Sequence, residues 1–161
     1  MILEGLRSGG MRDAVDIIVV HSMGEFVKAG EMPAVHAHAM LKELGLSAHY
    51  LVTPSGDVAS CVPEAEVAWH CKGVNRRSIG IEVLVAGCWD WNGFVERIKS
   101  PDAFSDEQIL ATSDLVKGLM RRYGVVPSNV RRHADLSDTK PDPGSGFPWG
   151  AFKQIISEKE E

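Results

Sequence analysis

From Ser78 to Val85 the residues alternate in character. Ile79, Ile81, Val83 and Val85 fall on one side, and Ser78, Gly80, Glu82 and Leu84 on the other. A period of two predicts a strand whose faces meet different surroundings. Asp16 to Val20 reads Asp-Ile-Ile-Val-Val, a β-branched run that predicts a strand buried on both faces and ending at His21. His49 to Val52 predicts another strand, closed by the turn Thr53-Pro54-Ser55-Gly56-Asp57, and Val58 to Val62 can pair back on it as a hairpin. Ala37, Leu41 and Leu44 recur at helical spacing ahead of Gly45, a C-terminal cap.

Phe104-Ser105-Asp106-Glu107-Gln108-Ile109 is a helix start. Ser105 and Gln108 match a capping box, and Phe104 and Ile109 a hydrophobic staple. The helix that follows turns Ile109, Thr112, Val116, Leu119 and Tyr123 to one side and stops at Gly124. A last helix is expected around Trp149 to Ile156, with Trp149, Phe152 and Ile156 inward. Ala86 to Ala103 holds Trp89, Trp91 and Phe94 without a regular period and reads as an ordered insertion, with a short helix near Gly93 to Ile98. Together these elements predict an α/β domain: a mixed central β-sheet flanked by helices, spanning residues 1–161 with its core at about 16–156.

Charge narrows the partners. The 161 residues carry a formal net charge of −5, which argues against a nucleic-acid binder. No apolar run approaches the roughly 18 residues of a membrane span. The first residues, Met1 to Arg7, are too short and polar for a secretory signal, so the expectation is a protein cytoplasmic as synthesised. Cys61, Cys71 and Cys88 are then expected as reduced thiols. The tail Glu158-Lys159-Glu160-Glu161 reads as a solvated end.

Six histidines offer chemistry: His21, His36, His38, His49, His70 and His133. His36 and His38 are two apart in a predicted helix, point to different faces and are expected on the surface or in packing. His21 ends a predicted buried strand and His133 follows a short one, where α/β folds present functional groups. Beyond His133, the loop Asp138-Thr139-Lys140-Pro141-Asp142-Pro143-Gly144 can hold Lys140 and Asp142 rigidly. From spacing alone, these residues fit a metal site or hydrogen-bonded packing. Cys71 beside His70 is not a convincing metal pair.

Five ordered motifs change that balance. They are Ile18-Val19-Val20-His21, Leu46-Ser47-Ala48-His49-Tyr50-Leu51-Val52, Val67-Ala68-Trp69-His70, Asn75-Arg76-Arg77-Ser78-Ile79-Gly80-Ile81-Glu82, and Arg132-His133-Ala134-Asp135 through Lys140-Pro141-Asp142-Pro143-Gly144. In this order they resemble the zinc-dependent N-acetylmuramoyl-L-alanine amidase family. It includes phage lysozyme-type amidases, muropeptide-recycling amidases and peptidoglycan recognition proteins. The resemblance runs from about Ile17 to Phe152.

The resemblance implies Zn²⁺ in a surface groove, held by His21, His133 and Asp142, with Glu82 and Lys140 catalytic. Phage lysozymes of the family carry a catalytic Tyr where this chain has Ala48. Recycling-type members carry a Glu on the central strand, where this chain has Glu82. Tyr50, read as sharing a strand face with Ala48, is a further candidate. Trp69, His70 and Asn75 are read as substrate-binding, with simple packing an open alternative for His70, and His49 as structural. The implied substrate is peptidoglycan or a muropeptide, cut between N-acetylmuramic acid and L-alanine. The expected setting is a phage endolysin or similar lysin that reaches the cell wall after release. The alternatives are a cytosolic muropeptide-recycling amidase, a non-catalytic peptidoglycan-binding protein, and a zinc hydrolase of another amide.

Overall fold

The computed structural model describes residues 1–24 and 32–158; the tail beyond Glu158 lies outside the described residues. Among the described residues seven strands are formed: β1 (Ser8–Met11), β2 (Ile17–Gly24), β3 (Tyr50–Val52), β4 (Val58–Ser60), β5 (Glu66–Ala68), β6 (Ser78–Val85) and β7 (Val130–Arg132). Four α-helices accompany them: α1 (Pro33–Glu43), α2 (Trp91–Arg97), α3 (Asp106–Tyr123) and α4 (Trp149–Ser157). Five strands make the main sheet in the order β4-β3-β6-β2-β7. β3, β6, β2 and β7 are parallel and β4 is antiparallel to β3, so the sheet is mixed, as predicted. No described helix is long and apolar enough to cross a membrane.

The alternation in β6 separates two cores. Ile79, Ile81, Val83 and Val85 join Ile109, Val116 and Leu119 of α3 and Phe152 and Ile156 of α4. On the other face Leu84 meets Met23 and Ala34, Ala37 and Leu41 of α1. β6 is the middle strand of the sheet, which leaves Glu82 on an interior strand rather than at an edge.

Several expectations need correction. β2 does not end at His21; it runs on through Ser22, Met23 and Gly24, which pair with Val83, Leu84 and Val85. The sequence His-Ser-Met-Gly lacks β-branched residues, and it is the partner strand that holds it extended. Leu44 is not part of the helical stripe. It caps α1 and is exposed, while Gly45 takes a left-handed φ of 67°. Gly45 N–H donates to Lys42 O and Leu46 N–H to Leu41 O, the paired bonds of a Schellman ending.

Only half of the predicted capping box forms. Ser105 Oγ accepts from Gln108 N–H at 3.1 Å. The buried Gln108 side chain turns inward instead, and its Nε2 donates to Val52 O at 3.0 Å and Leu84 O at 2.8 Å. It thereby ties α3 to the ends of β3 and β6. Tyr50 does not share a face with Ala48. Ala48 packs with Leu51 and Leu84, while Tyr50 packs against the other core and its hydroxyl donates to Glu64. That removes Tyr50 from the catalytic candidates.

Candidate metal centre and groove

Register brings the ligands together. His21 of β2 lies directly opposite Glu82 of β6, and paired residues on parallel strands point to the same face. On the other side of β2, Val20 pairs with Arg132, so His133 leaves the end of β7 beside His21. Asp142 comes from the loop that follows. Ala134 N–H donates to Asp142 O at 2.9 Å, and Ser22 Oγ donates to Pro143 O at 3.1 Å.

The insertion supports this loop from below. Gly146 N–H donates to Ile98 O at 2.8 Å. A Cβ on Gly146 would lie 2.1 Å from Ser100 O, and one on Gly144 2.4 Å from Ile98 O, so only glycines allow this approach. Residues 86–103 thus carry a structural duty toward the ligand loop, a long-range contact that local sequence does not reveal.

Three atoms converge. His21 Nδ1 lies 2.9 Å from His133 Nδ1 and 3.2 Å from Asp142 Oδ2, and His133 Nδ1 lies 3.1 Å from the same oxygen. A tetrahedral ion with bonds of about 2.0–2.1 Å separates its ligand atoms by roughly 3.3 Å, so the triangle fits within a few tenths of an ångström. No other such group of His, Cys, Asp or Glu is found among the described residues. Burial alone would lift the Asp142 carboxyl. Hydrogen bonds with His133 and His21 outweigh it and hold the carboxyl well below the usual carboxylate range. Burial pulls the His133 ring down, but hydrogen bonds with Asp142 and Cys71 outweigh it and push its pKa up to about 9. The cluster is built to hold positive charge, which suits two imidazoles and a carboxylate facing a cation.

Glu82 stands beside the triangle without joining it. Its Oε1 is 4.0 Å from His21 Nδ1, and its Oε2 is buried with no hydrogen-bond partner. Burial pushes its carboxyl pKa up. The Asp142 charge adds to the rise, and His21, His133 and Lys140 oppose it. A rise is the direction in which acid–base work at a carboxylate is served.

The cluster opens into a groove of about 1170 Å³. Lys140 is exposed on its wall, with Nζ 5.4 Å from the centre of the Trp91 ring. The sequence gives no sign of Trp91 as a site residue, because an isolated aromatic in an irregular stretch carries no periodic signal. Trp69 lies at the rim, half-exposed under the Arg7 guanidinium at 4.6 Å.

His70 and Asn75 line the groove but are already engaged. His70 Nδ1 is 2.9 Å from His21 Nε2, and His70 Nε2 is 3.1 Å from Ser78 Oγ. Burial, followed by the neighbouring His21 and His49 rings, holds the His70 pKa well below its ordinary value. Asn75 Oδ1 accepts from His70 N–H at 3.0 Å and Cys71 N–H at 2.7 Å, leaving only its amide nitrogen for a ligand. His49 is structural, as expected. Its Nδ1 accepts from Gly80 N–H at 2.9 Å, and burial lowers its pKa to about 4. His36 and His38 are partly buried on α1, outside the cluster.

Three converging ligand atoms beside a buried carboxylate, lining an open groove on an α/β sheet, have the make-up that metal-dependent hydrolases use. The chain belongs to the N-acetylmuramoyl-L-alanine amidase family, whose profile matches residues 11–145. It is 35% identical over 132 residues to N-acetylmuramoyl-L-alanine amidase AmiD of Escherichia coli, covering 72% of this chain and 46% of that one. It is 30% identical over 124 residues to 1,6-anhydro-N-acetylmuramyl-L-alanine amidase AmpD of Escherichia coli, covering 75% of this chain and 64% of that one. The chain therefore spans about half of one relative and under two thirds of the other. AmiD solved in complex with anhydro-N-acetylmuramic acid-L-Ala-D-gamma-Glu-L-Lys superposes with a TM-score of 0.67 at 27% identity, covering 92% of this chain and 60% of that one. The structure of PlyL superposes with a TM-score of 0.70 at 22% identity, covering 99% of this chain and 98% of that one, a likeness of fold.

Proposed function

We propose that this chain hydrolyses the amide between N-acetylmuramic acid and L-alanine, in peptidoglycan or in muropeptides, with zinc held by His21, His133 and Asp142. The observation that carries this reading is Glu82, a buried carboxylate with a partnerless oxygen, set beside three converging ligand atoms. When bound, zinc acidifies water and polarises a carbonyl oxygen. Glu82 takes the proton from the attacking water and delivers it to the leaving nitrogen of L-alanine. Lys140 faces the negative charge that grows on the carbonyl oxygen, where a fixed cation stabilises the transition state more than the ground state. The Trp91 ring under its ammonium restrains the flexible lysine.

Two settings follow from the same chemistry. One is a phage endolysin or similar lysin acting on the wall. The other is a recycling amidase acting on soluble muropeptides. The identity to AmpD, whose name specifies a 1,6-anhydro substrate, supports the second.

Digestion of purified sacculi and of soluble anhydro-muropeptides, followed by mass spectrometry, tests the reaction and its setting. Free stem peptides beginning with L-alanine are expected, with no new reducing sugar ends. New reducing ends would mean a glycosidase and sink the reading. Faster turnover of one substrate assigns the setting. His133→Ala should lose zinc by elemental analysis, since a three-ligand site has none to spare.

A further inference from the structure

We propose that His70, backed by Ser78, is a positioning residue that fixes the ring tautomer of the metal ligand His21; the inference rests on the metal-centre reading above. His21 Nδ1 is the atom that meets His133 and Asp142, and its opposite nitrogen, Nε2, lies 2.9 Å from His70 Nδ1. His70 Nε2 lies 3.1 Å from Ser78 Oγ, and Ser78 Oγ donates to Val74 O at 2.8 Å.

The protons in this row can be placed one after another. A carbonyl oxygen only accepts, so the single hydroxyl proton of Ser78 is committed to Val74. Ser78 Oγ is left to accept from His70, which puts the ring proton of His70 on Nε2. His70 Nδ1 then carries a lone pair and accepts from His21 Nε2–H. The remaining lone pair of His21 is on Nδ1, aimed at the metal centre. A backbone carbonyl thus sets the protonation of a ligand three groups away.

A ligating histidine commonly gives its other N–H to a carboxylate, a carbonyl or water. Here a neutral imidazole does that work. Asp142 and Glu82 already place two carboxyl groups at this site. A third beside His21 would raise the Glu82 pKa further, by like-charge repulsion. An imidazole orients the ligand without adding charge.

The surrounding fold is shaped to hold His70. Gly80 lies between Ser78 and Glu82 on the same face of β6, and a Cβ there would sit 2.4 Å from His70 Cγ and 2.6 Å from Nδ1. Its backbone lies outside the left-handed region, so what demands glycine is the imidazole lying against it. Asn75 fixes the same residue from the other side by accepting its backbone N–H. Ser78, Gly80 and Asn75, all in one motif of the sequence, converge on His70.

The test is zinc affinity, by competition with a chelator, in His70→Leu, His70→Asn and Ser78→Ala, with folding checked by circular dichroism. His70→Leu removes the acceptor and should weaken zinc binding by about 10–100-fold, the usual effect of losing an outer partner of a ligand. His70→Asn can place Oδ1 where Nδ1 stood and should restore affinity to near that of the unaltered chain. Ser78→Ala should fall between them. Proton–nitrogen correlation spectra of the zinc-loaded protein should show both His21 and His70 protonated on Nε2.

A folded His70→Leu variant with unaltered zinc affinity, or His70 protonated on Nδ1, overturns the inference while leaving the metal centre standing. An unaltered chain that takes up no zinc overturns both. Should His70→Leu fail to fold, the spectra of the unaltered protein decide alone.

Discussion

One face of β6 carries Ile79, Ile81, Val83 and Val85, none of them exposed, packed under α3 and α4. The other carries Ser78, Gly80, Glu82 and Leu84, of which only Leu84 belongs to an apolar cluster. The same eight residues therefore serve two ends. The first face is a packed surface where any gap costs stability. The second is a row of partners to histidines: Ser78 to His70, Gly80 to His70 and His49, and Glu82 to His21. A buried polar face is costly unless each group has a partner. Glu82 Oε2, the exception here, is the atom the proposed chemistry uses.

The contrast predicts that substitutions on the two faces will separate function from stability. The largest effect is expected for Glu82→Gln, which keeps the shape and removes the base. Turnover should fall by about 10²–10⁴-fold, the usual contribution of general acid–base catalysis. Zinc content and the urea midpoint should stay close to those of the unaltered chain. Replacing a buried carboxylate by a neutral amide removes a desolvation penalty, so a large loss of stability would break the contrast. A variant retaining more than about a tenth of turnover would move the proton transfer elsewhere.

The opposite face should behave in reverse. Ile81→Ala leaves a void in a fully buried position between Val20 and Tyr50. Unfolding free energy should drop by about 2–5 kcal/mol, as large-to-small core changes do. Turnover per folded molecule and zinc affinity should be unchanged when measured well below the melting temperature. A selective loss of zinc affinity in this variant would show that the faces are coupled through the strand.

The two faces were not equally legible in the sequence. The alternation from Ser78 to Val85 located the strand, both of its faces and the anomalous carboxylate, because burial imposes a period of two. The ligands His21, His133 and Asp142 came from motif order, since their meeting depends on the register of β6, β2 and β7 and on a loop fold. The small sheet of β1 and β5 left no trace. Ser8–Met11 and Glu66–Ala68 are too short for a period, and they are joined by pairings such as Ser8 with Ala68. Arg12 then staples that sheet, donating to Glu66 O and Ser78 O. The local pattern casts the Gln108 side chain as a cap, while its partners lie on β3 and β6. His70 beside Trp69 reads as a groove residue; its bond to His21 spans 49 positions and is invisible to any local pattern.

The smallest expected effect sharpens the contrast from an unexpected side, because it concerns a charge that belongs to the stabilising region. Glu64 accepts hydrogen bonds from Tyr50, Tyr123 and Arg122, and both tyrosines pack against the core that contains Ile81. Burial alone would raise its carboxyl pKa, but the bonds from Arg122, Tyr123 and Tyr50 outweigh it and hold the pKa below the ordinary value of 4.5. A carboxyl depressed in the folded state contributes stability that is present above its unfolded pKa and is lost as the pH falls through the folded value. Glu64→Gln should therefore cost about 1 kcal/mol at neutral pH, a low figure for charge-assisted bonds because the Arg122 partner is solvent-screened. The gap between the two proteins, measured by urea unfolding at successive pH values, should narrow as the pH drops below about 4.5, where the unfolded carboxyl begins to protonate. Zinc affinity and turnover at neutral pH should not move. A gap that stays constant into acid would mean that Glu64 acts by shape rather than charge, and a change in zinc affinity would join this cluster to the site on the far face of the sheet.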